Sequence, residues 1–284
     1  MRVAALTYVY NESVNLPIWR RYYGQQFGEN NLFLIDRSSD DGSTEDLGDV
    51  NRIRLPLTPF DDADKVLCLS SFQAGLLSHY DAVVCGDCDE FVVPDPEIYS
   101  GLIDYITRME GDYATCCGMN VSHIIDRELP IDLEKPILSQ RHYARFHSAG
   151  CKTLVGRVPI KWEPGLHASN RRPNFDRHLI NFHLKWMDYG IAMKRQMINQ
   201  SSVWSDASLA LKHGSHHRYD LARFVREGFL EVANTVRQGQ AVSFDLSDVI
   251  AELNASIVER HSAFFTQARI VRCVEIPRRF QDLL

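Results

Sequence analysis

Short apolar runs alternate with helically spaced apolar residues over the first 110 positions of the chain. The runs are continuous rather than alternating, which is typical of strands that are buried on both faces. The predicted strands span 3–9, 32–35, 53–55 and 82–85, and the predicted helices span 17–28, 64–79 and 96–110. This alternation predicts an α/β fold built on an open, mostly parallel sheet with flanking helices.

The pattern loosens after residue 110. Strands are predicted over 113–122, 151–158 and 179–183, with an irregular stretch between the last two. The later predicted helices span 187–200, 219–238 and 244–266. We therefore expect one sheet domain over residues 1–200, followed by a helical C-terminal extension over 201–284.

Composition and charge narrow the class of protein. The chain has 284 residues, 45% of them hydrophobic and 24% charged, which is ordinary for a soluble globular protein. No apolar run is long enough to span a membrane, and the N-terminus lacks a signal-peptide layout, so we expect a cytoplasmic protein. Residues 1–100 hold 7 Lys+Arg and 17 Asp+Glu, a net charge of −10. This acidity argues against a nucleic-acid partner and favours carboxylates around a divalent cation.

The seven cysteines are odd in number, which together with the missing signal peptide predicts free thiols in a reducing compartment. Cys85 and Cys88 have the C-x-x-C spacing, but a zinc site needs a second pair. A redox or zinc protein is therefore a minor alternative. It would contain bound zinc or a disulfide that can be titrated.

Acidic residues follow three of the predicted strands. Glu12 follows the first strand, Asp36 ends the second, and Asp87 and Asp89 follow the fourth. Ligands of open α/β sheets bind beyond the carboxyl ends of the strands. Alternate residues leaving a strand point to the same side, so both carboxylates of the D-x-D motif can face one ligand. Oxygen ligands suit Mn²⁺ or Mg²⁺, whose coordination shell is usually completed by phosphates.

Three motifs in order carry a family resemblance. They are Tyr10-Asn11-Glu12, the segment from Asp36 through Ser38-Ser39-Asp40-Asp41-Gly42-Ser43, and Asp87-Cys88-Asp89-Glu90-Phe91. Together they resemble the family-two type of nucleotide-sugar glycosyltransferase with the GT-A fold. The D-x-D-E-F form is most similar to a divergent branch that acts on bacterial surface polysaccharides. The resemblance covers residues 1–110 and continues weakly to about residue 200.

The resemblance implies metal-dependent transfer of a sugar from a nucleoside diphosphate, with UDP favoured, to a hydroxyl of a glycan or lipid-linked acceptor. Mn²⁺ or Mg²⁺ would act as a Lewis acid on the leaving diphosphate. The residues expected at the nucleotide are Tyr8, Glu12, Asp36, Asp40 and Asp87. Those expected at the metal are Asp87 and Asp89 with one histidine, which is either His167 or His183. A lipid-linked acceptor would bring the protein to the inner face of the membrane, where basic residues near the C-terminus allow a peripheral contact.

The catalytic base departs from the family pattern. An inverting transferase needs a carboxylate that deprotonates the acceptor hydroxyl. The Glu-Asp dipeptide that in this family usually heads a helix, roughly 90 residues after D-x-D, is absent from that part of the chain. Asp126 and Glu163 are the two candidates. A non-catalytic, glycan-binding relative is one alternative. A nucleotidyltransferase is another, although it normally carries a glycine-rich phosphate loop where this chain has Tyr10-Asn11-Glu12.

Overall fold

The first half of the chain alternates strands and helices, as its hydrophobic pattern predicts. A computed structural model describes residues 1–284, apart from the side chain of His216. The elements up to residue 85 are β1 (Val3–Val9), α1 (Asn15–Phe27), β2 (Leu32–Asp36), β3 (Asn51–Arg54), α2 (Asp62–Leu76) and β4 (Ala82–Cys85). The strands and helices predicted for this part of the chain are therefore confirmed.

The second half contains more strands than its pattern predicts. Its elements are β5 (Glu90–Pro94), α3 (Leu102–Arg108), β6 (Tyr113–Ser122), β7 (Tyr143–His147), β8 (Thr153–Gly156), β9 (Phe175–Trp186), α4 (Tyr189–Ser201), α5 (Asp206–Ala210), α6 (Leu221–Val225), α7 (Glu231–Arg237), α8 (Ser247–Ala255), β10 (Ile257–Arg260), β11 (Ala263–Thr266) and β12 (Val271–Glu275). A π-helical turn, Arg226–Leu230, joins α6 to α7.

Ten strands form one open sheet. Eight of them follow the order β12-β7-β6-β8-β4-β1-β2-β3, and β9 attaches to β6 and carries β5 on its other side. The pairs β1–β2, β1–β4, β2–β3 and β6–β9 are parallel, and the remaining pairs are antiparallel. The predicted α/β class, with an open sheet and flanking helices, is confirmed.

Helix α1 fixes the position of β5, which directly follows the acidic motif. Its apolar side buries Trp19, Tyr22 and Tyr23. The Tyr22 hydroxyl donates to the Val92 carbonyl at 2.7 Å, and the ring of Tyr23 stacks on Phe91 with a centroid distance of 6.1 Å. The turn between β4 and β5 is therefore held at both ends by buried strands.

Helix α2 begins at a side-chain cap. The Asp61 carboxylate accepts hydrogen bonds from the backbone N–H groups of Ala63 and Asp64, which otherwise have no partner at a helix N-terminus. Leu69 is fully buried against the sheet. This start places Lys65 in the first turns of the helix, on the side of the β4–β5 turn.

Several stretches differ from the predicted elements. The helix predicted over 244–266 ends at Ala255, and residues 257–266 form the hairpin β10–β11, whose turn residues His261 and Ser262 have φ of 51° and 63°. Strands β5, β7 and β12 were not predicted, and α3 begins at Leu102 rather than at 96. The spacing of apolar residues over 256–266 fits a helix and a short hairpin equally well, because each of these structures buries one of its faces.

The C-terminal residues are attached to the sheet domain. Strand β12 pairs with β7, and Phe280 is fully buried. Trp204 forms a backbone bridge with Phe60 in the connection before α2. The division at residue 200 stays a prediction. Among the described residues, no helix is both long and apolar enough to cross a membrane.

Candidate functional site

One cleft of about 480 Å³ lies where β1 and β4 end and where residues from β7, β9 and α4 face them. It is lined by equal numbers of acidic and basic residues. The acidic ones are Glu12, Asp62, Asp87, Asp89, Glu90 and Glu227, and the basic ones are Arg37, Lys65, Arg145, Lys152, Lys185 and Arg195. His147, His167, His183 and His217 also line it. With neutral histidines these charges balance, so a diphosphate would enter most favourably with a divalent cation.

Asp87, the first carboxylate of the D-x-D motif, is held by two lysines. Its oxygens lie 2.5 Å from Lys65 Nζ and 3.4 Å from Lys152 Nζ. Lys152 also contacts Glu90 at 2.7 Å and is only 4% exposed. Burial alone would raise the pKa of Asp87, but the two ammonium groups hold it well below the usual range. The result is a chain of alternating charges along the wall of the cleft.

Asp89, the second carboxylate, faces His183 across the β5–β9 pair. In this register Glu90 is opposite His183, and Asp89 Oδ2 lies 3.0 Å from His183 Nε2. The other ring nitrogen, Nδ1, lies 3.0 Å from Asn120 Oδ1 on β6. Burial opposes both charges, but the pair lowers the pKa of Asp89 to about 2 and raises that of His183.

The donor atoms of this pair fit a divalent cation. Two neighbouring ligands of an octahedral Mg²⁺ lie about 3 Å apart, which matches the spacing of Asp89 Oδ2 and His183 Nε2. Metal-binding histidines usually donate their other N–H to an oxygen, as His183 can to Asn120. Among the residues that the structure describes, no three acidic, His or Cys side chains converge on one point. The pair is therefore a partial site, whose remaining ligands would come from a substrate and water.

Glu12, after β1, lines the same cleft. Its side chain is bound by Arg195 of α4 at 2.5 Å and by the amide of Asn15. Burial raises the pKa of this carboxyl to about 7, although Arg195 works in the opposite direction. Tyr8, at the end of β1, also lines the cleft, and burial raises the pKa of its hydroxyl. The structure thus brings Tyr8, Glu12, Asp87 and Asp89 together.

Asp36 and Asp40 do not line the cleft. Asp36 is fully buried, and its carboxylate accepts hydrogen bonds from the Ser39 N–H, the Thr44 hydroxyl and the Arg52 guanidinium. These bonds outweigh burial and lower its pKa. Asp40 is exposed and accepts a hydrogen bond from the Asn11 amide at 2.8 Å. The Asp36 carboxylate is thus occupied by hydrogen bonds from the loop that follows β2 and from Arg52 on β3, and it holds these segments together.

Neither predicted catalytic base lines the cleft. Asp126 lies 3.4 Å from Arg237, with 39% of its side chain exposed. Glu163 is exposed in the irregular segment before Gly165. Both carboxylates therefore lie at the protein surface, outside the cleft.

His167 also lines the cleft, but it forms no hydrogen bond with Asp87 or Asp89. Gly165, with φ of 77°, turns the chain so that the imidazole lies against its Cα, where a Cβ would be 2.6 Å from His167 Cδ2. Its Nδ1 lies 2.6 Å from the Ala149 carbonyl oxygen. Surrounding protein atoms and then Lys152 lower the pKa of this imidazole to about 3, so it is neutral. Of the two predicted histidines, only His183 contacts a carboxylate of the motif.

Several cleft residues were missed by the sequence analysis. Lys152 and Arg195 come from the C-terminal half and carry no motif of their own, whereas Lys185 belongs to the basic stretch 161–220, which the sequence offers as a partner for a diphosphate. Lys185 forms no ion pair with any described residue, and its Nζ lies 5.0 Å from the ring centroid of Trp186. Burial lowers its pKa to about 8. His183 and Lys185 are alternate residues of one strand, so their side chains point to the same face.

The cysteines do not form a chemical site. All seven are free, and Cys85 and Cys88 are buried. Burial raises the pKa of both thiols, so reactive thiolates are disfavoured. These observations weigh against the redox alternative.

No protein-family model matches the chain. No curated protein matches it either. One similar solved structure is a mannosyltransferase from Pyrobaculum calidifontis in complex with GDP-Man and Mn2+, at 17% identity and a TM-score of 0.29. The match covers 44% of this chain and 36% of that one, so it spans about a third of that protein's length.

A second similar structure is a mannose-1-phosphate geranyltransferase from Thermus thermophilus. The identity is 12% and the TM-score 0.31, with 88% of this chain and 68% of that chain covered. At such TM-scores neither comparison supports a conclusion about the activity of this chain. Membership of the glycosyltransferase family therefore stays a prediction.

Proposed function

We propose that this chain is a metal-dependent glycosyltransferase that uses a nucleoside diphosphate sugar, with UDP as the favoured nucleotide. The observation that carries the proposal is the Asp89–His183 pair, whose facing oxygen and nitrogen atoms are 3.0 Å apart in the cleft. The pair supplies two ligands and leaves the other positions of a divalent cation to phosphate oxygens. A bound Mn²⁺ or Mg²⁺ would polarise the departing diphosphate.

The chain's own cations would complete the diphosphate site. Lys65 and Lys152 form ion pairs with Asp87. Lys185 has no carboxylate partner among the described residues, and its ammonium group lies beside Trp186. An ammonium group without a counter-ion in a half-buried position is poorly solvated, so an anion there gains a strong interaction. Lys185 would thus hold the leaving diphosphate, while Asp87 keeps Lys65 and Lys152 in place.

The acceptor would enter from the side formed by β9 and α6. Trp186, Phe224 and Tyr219 line this side, and aromatic faces pack well on sugar rings. A glycan or lipid-linked hydroxyl, as in bacterial surface polysaccharide synthesis, is the acceptor class that the resemblance favours. A membrane contact through the C-terminal arginines has less support, because Arg272 pairs with Asp248 and Arg279 with Asp95.

The test is release of nucleoside diphosphate from UDP-, GDP- and dTDP-linked sugars, with Mn²⁺ and with chelator. Wild-type protein should release one nucleoside diphosphate in the presence of Mn²⁺, and Asp89→Asn should reduce the rate by about 100-fold or more. Asp132→Asn, on an exposed residue paired with Lys135, is the matched control and should leave the rate unchanged.

The same assay separates the alternatives. A nucleotidyltransferase would release pyrophosphate from a nucleoside triphosphate and a sugar phosphate. A glycan-binding relative would release nothing from any donor under any metal condition, and that result would overturn the proposed function.

A further inference from the structure

Arg37 is a buried cation without a counter-ion. It follows Asp36 at the end of β2, is 6% exposed and lines the cleft. One of its nitrogens, Nη2, donates to the Thr58 carbonyl at 2.9 Å, and none of the described carboxylates forms an ion pair with it. Lys65, Lys152 and Arg195 on the same cleft each have a carboxylate within 2.7 Å. Most of the hydrogen-bonding capacity of Arg37 is therefore unused by the protein.

Two aromatic rings flank this guanidinium. Its Cζ lies 4.7 Å from the centroid of Tyr10 and 5.3 Å from that of Phe60, and both rings line the cleft. The guanidinium, which offers only hydrogen-bond donors, is thus bordered by two flat aromatic rings. A planar ligand that presents an oxygen or nitrogen acceptor at its edge matches them in shape and in hydrogen bonding.

The position in the sheet favours a nucleobase over a phosphate. Arg37 lies at the end of β2, whereas the Asp87 and Asp89 turn follows β4, two strands away in the order β4-β1-β2. Neighbouring strands lie about 4.8 Å apart, so the two positions are separated by about 10 Å along this edge. The cationic groups suited to the diphosphate lie near the turn, which leaves Arg37 at the far end of a bound nucleotide.

Resting on the proposed function, we propose that Arg37 determines which nucleobase the donor carries. Its guanidinium donates to a carbonyl oxygen of the base, and Tyr10 and Phe60 contact the base plane. The class of donor is therefore one whose base presents a carbonyl oxygen, such as uracil or guanine, rather than adenine, which presents an amino group. This role replaces the one that the family resemblance implies for Asp36, whose acceptors are used within its own loop.

The test is calorimetric binding of UDP, GDP, ADP and inorganic pyrophosphate in the presence of Mn²⁺. Wild-type protein should bind UDP or GDP at least tenfold more tightly than ADP. Arg37→Met should weaken the preferred nucleotide by at least tenfold, reduce its preference over ADP to near one, and leave pyrophosphate binding unchanged. Arg54→Met, an exposed arginine on β3 outside the cleft, is the matched control and should keep the preference.

Arg37→Lys guards against loss of folding, because it keeps the charge and removes the planar fork. A variant with wild-type thermal stability and a lost base preference supports the proposal. Equal loss of UDP, ADP and pyrophosphate binding would assign Arg37 to a phosphate and overturn it, as would an unchanged preference in both variants. Failure of wild-type protein to bind any nucleotide would instead overturn the proposed function, so the two failures are distinguishable.

Discussion

The ends of two parallel strands, β2 and β4, look alike in the sequence and differ in the structure. Asp36 at the end of β2 and Asp87 after β4 are both acidic and both follow a buried apolar run. Asp36 is fully buried and bound by Ser39, Thr44 and Arg52. The side chains of Asp87 and Asp89 are 25% and 24% exposed and face an open cleft. At these two strand ends, the carboxylate faces the cleft only where its own loop does not use its acceptors.

The basis of this difference is the segment that follows each strand. After Asp36 a long polar loop folds back and offers N–H and hydroxyl donors to the carboxylate. After Asp87 the chain enters β5 within three residues, so no local donor reaches the motif. The partners come instead from α2, β9 and the segment before β8, and all of them border the cleft.

Removing the buried carboxylate should have the largest effect. Asp36→Ala leaves the Arg52 guanidinium and the Ser39 N–H without their partner. Removing one partner of such a buried ion pair lowers the free energy of unfolding by about 3 kcal/mol. Urea denaturation measures the loss. Nucleotide affinity per folded molecule should stay at the wild-type value, since Asp36 does not line the cleft. A stable variant that loses nucleotide binding would reverse the assignment of the two strand ends.

Changes in the D-x-D motif should weaken nucleotide binding and leave stability nearly unchanged. Asp89→Asn removes a proposed metal ligand and should weaken nucleotide binding in Mn²⁺ by about 100-fold, or about 2.7 kcal/mol. The midpoint of thermal unfolding should change little, because the side chain is partly exposed. If the variant unfolded readily while binding normally, Asp89 would be a structural residue like Asp36.

Glu12, which follows β1, shares a feature with each of the two aspartates. It lines the cleft like Asp87, and like Asp36 it is held by side chains of the protein. Its pKa is raised from 4.5 to about 7, mainly by burial, so the folded state holds more protons than the unfolded state between these values. Stability contributed by Glu12 is therefore full below about pH 4.5 and is lost as pH rises through 7. Relative to Glu12→Gln, the wild-type free energy of unfolding should fall by about 2 kcal/mol from pH 5 to pH 8. If the stability–pH curves of wild-type protein and Glu12→Gln ran parallel, the pKa of Glu12 would not be raised by folding.

The smallest expected effect concerns Asn120, which contacts His183 of the Asp89–His183 pair. Asn120→Ala removes the oxygen that faces His183 Nδ1, and loss of such an outer partner typically lowers metal affinity about tenfold. The concentration of Mn²⁺ that gives half-maximal activity should rise by that factor, with the nucleotide preference unchanged. An unaltered metal requirement would indicate that His183 is oriented by other contacts.

The hydrophobic pattern predicted most of the sheet because its central strands are continuous apolar runs. It failed where the pattern is ambiguous. Strand β5 begins with Glu90 and ends with Pro94, so it looks like a continuation of the acidic turn, and its burial depends on α1. The hairpin β10–β11 has apolar spacing that a helix shares, and its turn carries no glycine to mark it.

The candidate site was predicted where a motif sits directly on a strand end. Asp87, Asp89 and both proposed histidines line the cleft, and of the two histidines only His183 contacts a carboxylate of the motif. Partners such as Lys152 and Arg195 were not predictable, because they meet the motif only through the pairing of distant strands and helices. The sequence places Asp36 and Arg37 together at the end of β2, but it does not show that the following loop hydrogen-bonds the Asp36 carboxylate while Arg37 lines the cleft.

The most direct test of the account is the binding of UDP to wild-type protein by calorimetry, with Mn²⁺ and then with chelator, beside Asp89→Asn and Asp36→Ala. We expect tight binding that requires Mn²⁺, is lost in Asp89→Asn and is retained in the folded fraction of Asp36→Ala. Binding that is independent of metal and of Asp89, or absent from wild-type protein for every nucleoside diphosphate, would contradict the assignment of the cleft.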